Sequence, residues 1–164
     1  MATARSLNGA LDLDAVAVAK ASRVIRPFLS ANQFKIMARA ARGEEKDWFV
    51  QKFCDLERQI TDMPKTYEQD GLGDQAVAHL HYFHGASDWY ITEKDMESGV
   101  AQAYGMSNLG YGPELGYISI KELTAAGAEL DLHFTPTTLL EIKEGPSVEI
   151  PKKNARQGLS RPKP

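Results

Sequence analysis

Three histidines with nearby carboxylates are the residues whose types and spacing best suit chemistry. His79 and His81 lie two positions apart in the stretch AVAHLHYFH, and residues at this spacing in a strand project from one face. His84 ends the stretch, and Asp88 and Glu93 follow across a predicted hairpin. Imidazole nitrogens and carboxylate oxygens together suit zinc, iron or manganese. The stretch therefore predicts either the metal site of a metal-dependent hydrolase or imidazoles that hydrogen-bond to their neighbours.

A second candidate set combines Glu93 and Glu114 with Asp131 and His133. Asp131 and His133 are again two positions apart, so they share one face of a predicted strand. A carboxylate–imidazole pair can serve general acid–base catalysis. The structural alternative is that the pair orients a loop or accepts hydrogen bonds from backbone amides. The sequence favours this structural role, and we assign no catalytic residue.

Other catalytic and cofactor motifs are missing from the sequence. It has neither the G-x-S-x-G of a nucleophile elbow nor the G-x-x-x-x-G-K-[ST] of a phosphate-binding loop. The stretch GLGDQ is too short for a dinucleotide-binding fingerprint. Cys54 is the single cysteine and lies in an apolar helical run, which indicates a buried structural residue. We therefore expect no cofactor.

Aromatic residues are concentrated in the strand-forming part of the chain. Trp89 and Tyr90 are consecutive in the predicted strand DWYIT, so their rings point to opposite faces of the sheet. One face would pack against helices, and an aromatic on the other can anchor a partner or stack on a base. Cross-strand packing is the structural alternative. The candidate partner-binding residues are Trp89, Tyr90, Glu93, Tyr104, Glu114 and Tyr117.

The charge distribution favours a protein as the partner. The chain has 164 residues and a formal net charge of −3. Residues 151–164 carry five Lys or Arg and no acid, which leaves a net charge of −8 on the other 150 residues. A folded nucleic-acid-binding domain is expected to present a basic face. The sequence therefore predicts nucleic-acid contact only through the basic tail.

Three helices are predicted at the start of the chain. The first covers residues 11–26, is rich in alanine, and takes Asp12 or Asp14 as its N-cap. Ser30 and Gln33 form an S-x-x-Q capping box that begins the second helix. The third helix carries an apolar stripe at helical spacing. The stripe consists of Phe49, Phe53, Leu56 and Ile60.

The hydrophobic period changes from helical to two beyond residue 75. Five strands are predicted, at residues 76–84, 88–95, 101–110, 114–119 and 128–134. Ser119 and Glu122 form another capping box, which begins a short helix. Thr135 followed by Pro136 predicts the start of a last short helix. Three helices followed by a mostly antiparallel sheet of about five strands, with short helices, define an α+β fold.

The predicted domain organisation is a single α+β domain at residues 11–150. Within it we expect a helical unit at residues 11–63 and a sheet unit at 76–142. Residues 1–10 and the basic tail are expected to be disordered. No apolar run reaches the ~20 residues of a membrane span, and the N-terminus lacks the apolar segment of a signal peptide. We expect a cytoplasmic protein without membrane contact.

Four motifs punctuate the sheet region: W-x-I-T-E, Y-G…LG, ELGYIS and DLHF. Their residues are Trp89, Ile91, Thr92 and Glu93; Tyr104, Gly105, Leu109 and Gly110; 114–119; and 131–134. Together they resemble an uncharacterised family of small proteins encoded on plasmids, phages and integrative elements. The resemblance implies an accessory protein of a mobile genetic element, a class that includes anti-defence inhibitors such as anti-CRISPR proteins.

The function predicted from the sequence is therefore non-enzymatic binding of a host or defence-system protein. The first alternative is a metal-dependent hydrolase that uses His79, His81 and His84. The second is an accessory protein that binds nucleic acid.

Overall fold

The computed structural model describes residues 12–145. The predictions made for residues 1–10 and 151–164 lie outside this range. The helices are α1 Leu13–Ile25, α2 Ala31–Ala40, α3 Lys46–Asp62, α4 Ile120–Ala125 and α5 Leu139–Glu144. The strands are β1 Val77–Ala78, β2 Leu80–His84, β3 Ser87–Glu93, β4 Ala103–Asn108, β5 Pro113–Ile118, β6 Glu129–Leu130 and β7 Thr137–Thr138. Among the helices of residues 12–145, none is long and apolar enough to cross a bilayer.

The three predicted N-terminal helices are confirmed, and the predicted capping residues lie at the starts of the first two. The Asp12 carboxylate accepts hydrogen bonds from the amides of Asp14 and Ala15 in the first turn of α1. The Ser30 hydroxyl accepts one from the Gln33 amide at the start of α2. The predicted capping box is only half formed, because the Gln33 side chain bonds to Leu130 instead of to the Ser30 amide. In α3 the predicted stripe faces inward, with Phe53, Leu56 and Ile60 buried.

The predicted α+β fold is also confirmed. Five strands form an antiparallel sheet in the order β5-β4-β3-β2-β6. The short strands β1 and β7 form a separate antiparallel pair. Strands β2 and β3 are joined by a two-residue turn whose Gly85 has a φ of 60°, as a tight hairpin requires.

The two faces of the five-stranded sheet have different environments. On one, the helical face, Leu80, Tyr82 and Ile91 are buried in a core shared with α1, α2 and α3. The Tyr82 hydroxyl donates a 2.6 Å hydrogen bond to the Phe28 carbonyl, and burial raises the pKa of Tyr82 well above its usual value. The opposite face, the groove face, packs Met106 in a smaller cluster together with α5. The helical unit therefore covers most of one face, and the other face is left partly open.

Several predicted element bounds were wrong for identifiable reasons. The stretch at 76–84 is split at His79, because the chain leaves the β1–β7 pair there and joins the main sheet. Strand β6 ends at Leu130 and does not extend to residue 134. The last helix is capped by Thr138, which forms a reciprocal capping box with Glu141, and Thr135 is not its cap.

Glutamine side chains complete the backbone hydrogen bonding at points where the strands are short. Gln33 donates to the Leu130 carbonyl and accepts from the Leu130 amide, at 2.8 and 2.9 Å. Gln69 makes the same paired contact with Val77. Because buried backbone groups must be paired, these amides substitute for missing strand neighbours.

Candidate functional site

A cavity of about 500 Å³ lies on the groove face of the sheet. Its walls come from β3, β4, β5, the segment at residues 66–76, and the start of α5. The residues that shape it are Tyr67, Glu93, Tyr104, Leu115, Tyr117 and Leu139. We call this cavity the tyrosine groove.

The pairing of β4 with β5 brings two of the groove tyrosines side by side. Tyr104 on β4 is paired with Tyr117 on β5, and Glu93 on β3 is paired with Tyr104 from the other side. The rings of Tyr104 and Tyr117 meet edge to face, with centroids 5.3 Å apart. Directly paired residues of neighbouring strands share one face, so all three side chains reach the same wall.

Glu93 is a buried carboxylate at the base of the groove, with only 5% of its surface exposed. An irregularity in the β3–β4 register between Ile91 and Glu93 interrupts the alternation there. Its two oxygens accept hydrogen bonds from the amides of Tyr67 and Gln69, at 2.7 and 3.1 Å. These charge-assisted bonds stabilise the buried charge and fix the segment that carries Tyr67.

Tyr67 forms the outer wall of the groove in a backbone conformation that tyrosine rarely adopts. Its φ is 77°, and it is the one non-glycine residue with positive φ among residues 12–145. Its hydroxyl lies 3.1 Å from that of Tyr117, and this hydrogen bond raises the pKa of Tyr117. The Tyr67 side chain is nevertheless 64% exposed, so burial does not explain the strain. Strain of this kind is typical of residues held in place for binding.

A second cleft of about 310 Å³ borders the tyrosine groove, and Tyr67 and Tyr117 line both. Asp95 and Glu97 line it. Burial disfavours the charge of Asp95, but hydrogen bonds from the amides of Gln102 and Gly99 and from neighbouring groups outweigh burial and lower its pKa to about 2.

The lining of these two neighbouring cavities is acidic. It includes Asp70 and Glu93 in the groove and Asp95 and Glu97 in the cleft. Among the described residues that line them, none is Lys, Arg or His. Tyrosine faces combined with carboxylates attract cations.

His81 is the histidine that the structure joins to carboxylates. Its Nδ1 lies 3.0 Å from Asp131 and its Nε2 lies 2.7 Å from Asp88. The ring also stacks on Tyr90, with centroids 4.5 Å apart and planes 6° from parallel. Because both ring nitrogens are engaged, neither is open to a metal ion or to a substrate proton. The hydrogen-bonding interpretation therefore fits His81.

The other two predicted ligands do not join His81. His79 lies half-buried between β1 and β2, where burial lowers its pKa. His84 is exposed at the end of β2. Within residues 12–145, no group of three or more His, Cys, Asp or Glu side chains could hold a metal ion. The predicted combination of His79, His81 and His84 is therefore not assembled.

The remaining predicted residues lie apart from the groove. Trp89 packs partly buried on the helical face, while Tyr90 packs on the opposite face, as the alternation predicted. Glu114 is exposed on the edge strand β5. His133 lies against Trp48, with ring centroids 5.5 Å apart. Asp131 accepts a hydrogen bond from the His133 amide at 2.9 Å, which fits the structural role that the sequence favoured. Glu93 and Glu114 lie elsewhere, so the predicted acid–base set is not assembled.

Sequence reasoning identified Glu93, Tyr104 and Tyr117 but missed Tyr67 and Leu139. Tyr67 lies in a segment whose glycines indicated only a loop. Leu139 begins α5, and the sequence around it does not show where that helix packs on the sheet.

The family comparison covers the residues that build this site. Residues 53–143 match the family described as protein of unknown function, DUF2958. The chain belongs to this family. The DUF2958 match begins within α3 and includes every strand, the tyrosine groove and His81 with its carboxylates. Neither a curated protein nor a solved structure matches the chain significantly.

Proposed function

We propose that this protein acts without catalysis, by binding a segment of another protein in the tyrosine groove. The observation that carries the proposal is the groove itself, in which three tyrosines surround a buried carboxylate. Tyrosines that offer both an apolar ring and a hydroxyl are typical anchors of protein interfaces. The bound segment contributes a basic residue, because the lining is acidic.

The motif resemblance supports a biological setting for this binding. We infer an accessory protein of a mobile genetic element that acts in the cytoplasm on a host or defence-system protein. The proposed action is inhibition of a defence nuclease complex, which is how anti-CRISPR proteins act. The tyrosine groove supplies the contact surface for such an inhibitor.

The test is affinity capture from a host lysate that contains active defence systems, with the partner identified by mass spectrometry. Two variants alter the groove, Tyr67→Gly and Tyr117→Leu. Glycine adopts positive φ without strain, so Tyr67→Gly should fold while losing the ring. Tyr111→Leu is the matched control, because Tyr111 is 92% exposed and lies outside the groove lining. Capture of a defence protein by the native chain and the control, but not by the groove variants, is expected.

Competition tests the basic residue of the partner. Nα-acetyl-arginine amide should displace the captured protein, whereas the neutral isostere Nα-acetyl-citrulline amide should not. A partner captured equally by all variants would contradict binding in the groove. A partner lost from the groove variants but insensitive to the arginine derivative would contradict only the basic residue.

A further inference from the structure

Four cations lie around a second cavity, on the helical side of the molecule. This cavity of about 610 Å³ lies between the end of α1 and the outer surface of α2. Its cationic residues are Arg26, Lys35, Arg39 and Arg42. Of the described residues that line it, none is acidic. We call this cavity the basic groove.

The four cations are exposed and have no carboxylate partner within residues 12–145. Each of the four side chains is exposed, and none takes part in an ion pair within residues 12–145. This contrasts with Lys46 nearby, which pairs with Asp14 at 3.1 Å. Their charge is therefore available to a ligand.

Helix electrostatics explain only part of the cluster. Arg39 lies in the last turn of α2 and Arg42 lies just beyond the helix, where cations favour the helix dipole. Lys35 lies in the middle of the helix, and Arg39 follows it at a spacing where like charges repel. Arg26 comes from a different element, the short turn after α1. Two elements thus contribute like charges to one cavity.

The floor of the basic groove is apolar. Leu29, Phe34 and Ala38 line it beneath the cations. The Arg26 guanidinium lies 4.2 Å from the centre of the Phe34 ring, which fixes its position by a cation–π contact. A cationic rim over an apolar floor suits a ligand with phosphates on one side and planar apolar faces on the other.

We propose that the basic groove binds single-stranded nucleic acid, with phosphates on the cationic rim and bases toward the apolar floor. A duplex turns its phosphates outward and keeps its bases stacked inside, so it cannot use the floor. The net charge of −8 on residues 1–150 makes this local basic surface stand out. The site lies on the opposite side of the sheet from the tyrosine groove and does not depend on the function proposed for it.

The test is fluorescence polarisation of a labelled oligothymidylate of about 12 nucleotides, within the ~4–16 that compact single-strand sites cover. The full chain is titrated at several salt concentrations. Lys35→Gln combined with Arg39→Gln should lower the magnitude of the log–log salt slope by about 1.4, since each phosphate contact on a single strand contributes about 0.7. The matched control combines Lys65→Gln with Lys121→Gln, which removes two exposed cations outside the basic groove.

The native chain and the Lys35/Arg39 variant both carry the basic tail, so the difference between their salt slopes does not depend on whether the tail also binds. Equal slopes for the native chain and the Lys35/Arg39 variant overturn the proposal, and loss of binding on deleting residues 151–164 would then assign it to the tail. Equal affinity for a duplex of the same length overturns the single-strand assignment. A reduced slope together with a clear preference for the single strand supports both binding in the basic groove and the single-strand assignment.

Discussion

At the scale of single residues, Tyr67 and Gly105 each occupy a position with an unusual backbone constraint. Tyr67 keeps a strained φ because the Glu93 carboxylate accepts its amide hydrogen and Tyr117 contacts its hydroxyl. Gly105, in the Y-G motif, has a different reason. A Cβ on Gly105 would overlap the Tyr90 carbonyl and crowd the Ile91 backbone. The motif glycine is therefore explained by close backbone approach beside the register irregularity of β3.

We expect Gly105→Ala to destabilise the protein by about 1–3 kcal/mol, because the added methyl group has no space in the sheet. Its partner across the strand pair supplies the control, since a Cβ on Gly116 meets nothing within 4 Å. Gly116→Ala should change the free energy of unfolding by about 0.5 kcal/mol or less. Urea denaturation of both variants measures the difference, and equal midpoints would contradict the crowding.

At the scale of elements, side chains organise the connections that the strands leave open. The Asp95 carboxylate accepts from the amides of Glu97, Gly99 and Gln102 and thereby shapes the connection between β3 and β4. Gln69 similarly joins β1 to the segment that carries Tyr67. These connections border the groove and the neighbouring cleft, so the shape of both depends on hydrogen bonds between side chains and backbone.

The ionised form of Asp95 should stabilise the protein in a defined pH range. Its pKa in the folded protein is about 2 and its ordinary value is 3.8. Because the folded value is depressed, the contribution is complete above the ordinary pKa and is lost as pH falls toward about 2. Asp95→Asn should cost about 1–3 kcal/mol at neutral pH and flatten the acid limb of the stability curve.

Thermal melts of the native chain and Asp95→Asn between neutral pH and pH about 2 measure this effect. Glu97→Gln is the control, because Glu97 is exposed on the same connection. It should leave stability within about 0.5 kcal/mol. A difference between the native chain and Asp95→Asn that persists unchanged to the lowest pH would contradict the assignment.

At the scale of the whole molecule, the helical unit and the sheet form one structure through a shared core and a few long-range polar contacts. Gln33 on α2 contacts Leu130 on β6, 97 positions away in the chain. Tyr82 contacts Phe28 across the same interface. The helices α1, α2 and α3 therefore determine which sheet face is covered.

Gln33→Ala should destabilise the whole protein by about 2 kcal/mol or more, because it leaves the buried amide and carbonyl of Leu130 without partners. Asn32→Ala, at an exposed position of the same helix, should change stability by about 0.5 kcal/mol or less. Chemical denaturation followed by separate probes of helix and sheet should give coincident transitions for both variants. A native-like midpoint for Gln33→Ala would show that this contact does not couple the two parts.

The sequence by itself determined the helices, the antiparallel strands and the opposite orientations of Trp89 and Tyr90, because these follow from local periodicity and capping. It also identified Glu93, Tyr104 and Tyr117, although not the groove that they share. Only the tertiary structure decided that Tyr67 completes this groove and that His81 lies between two carboxylates. The basic groove was hidden in the same way, because net charge adds up along the chain whereas binding depends on which charges folding brings together in space.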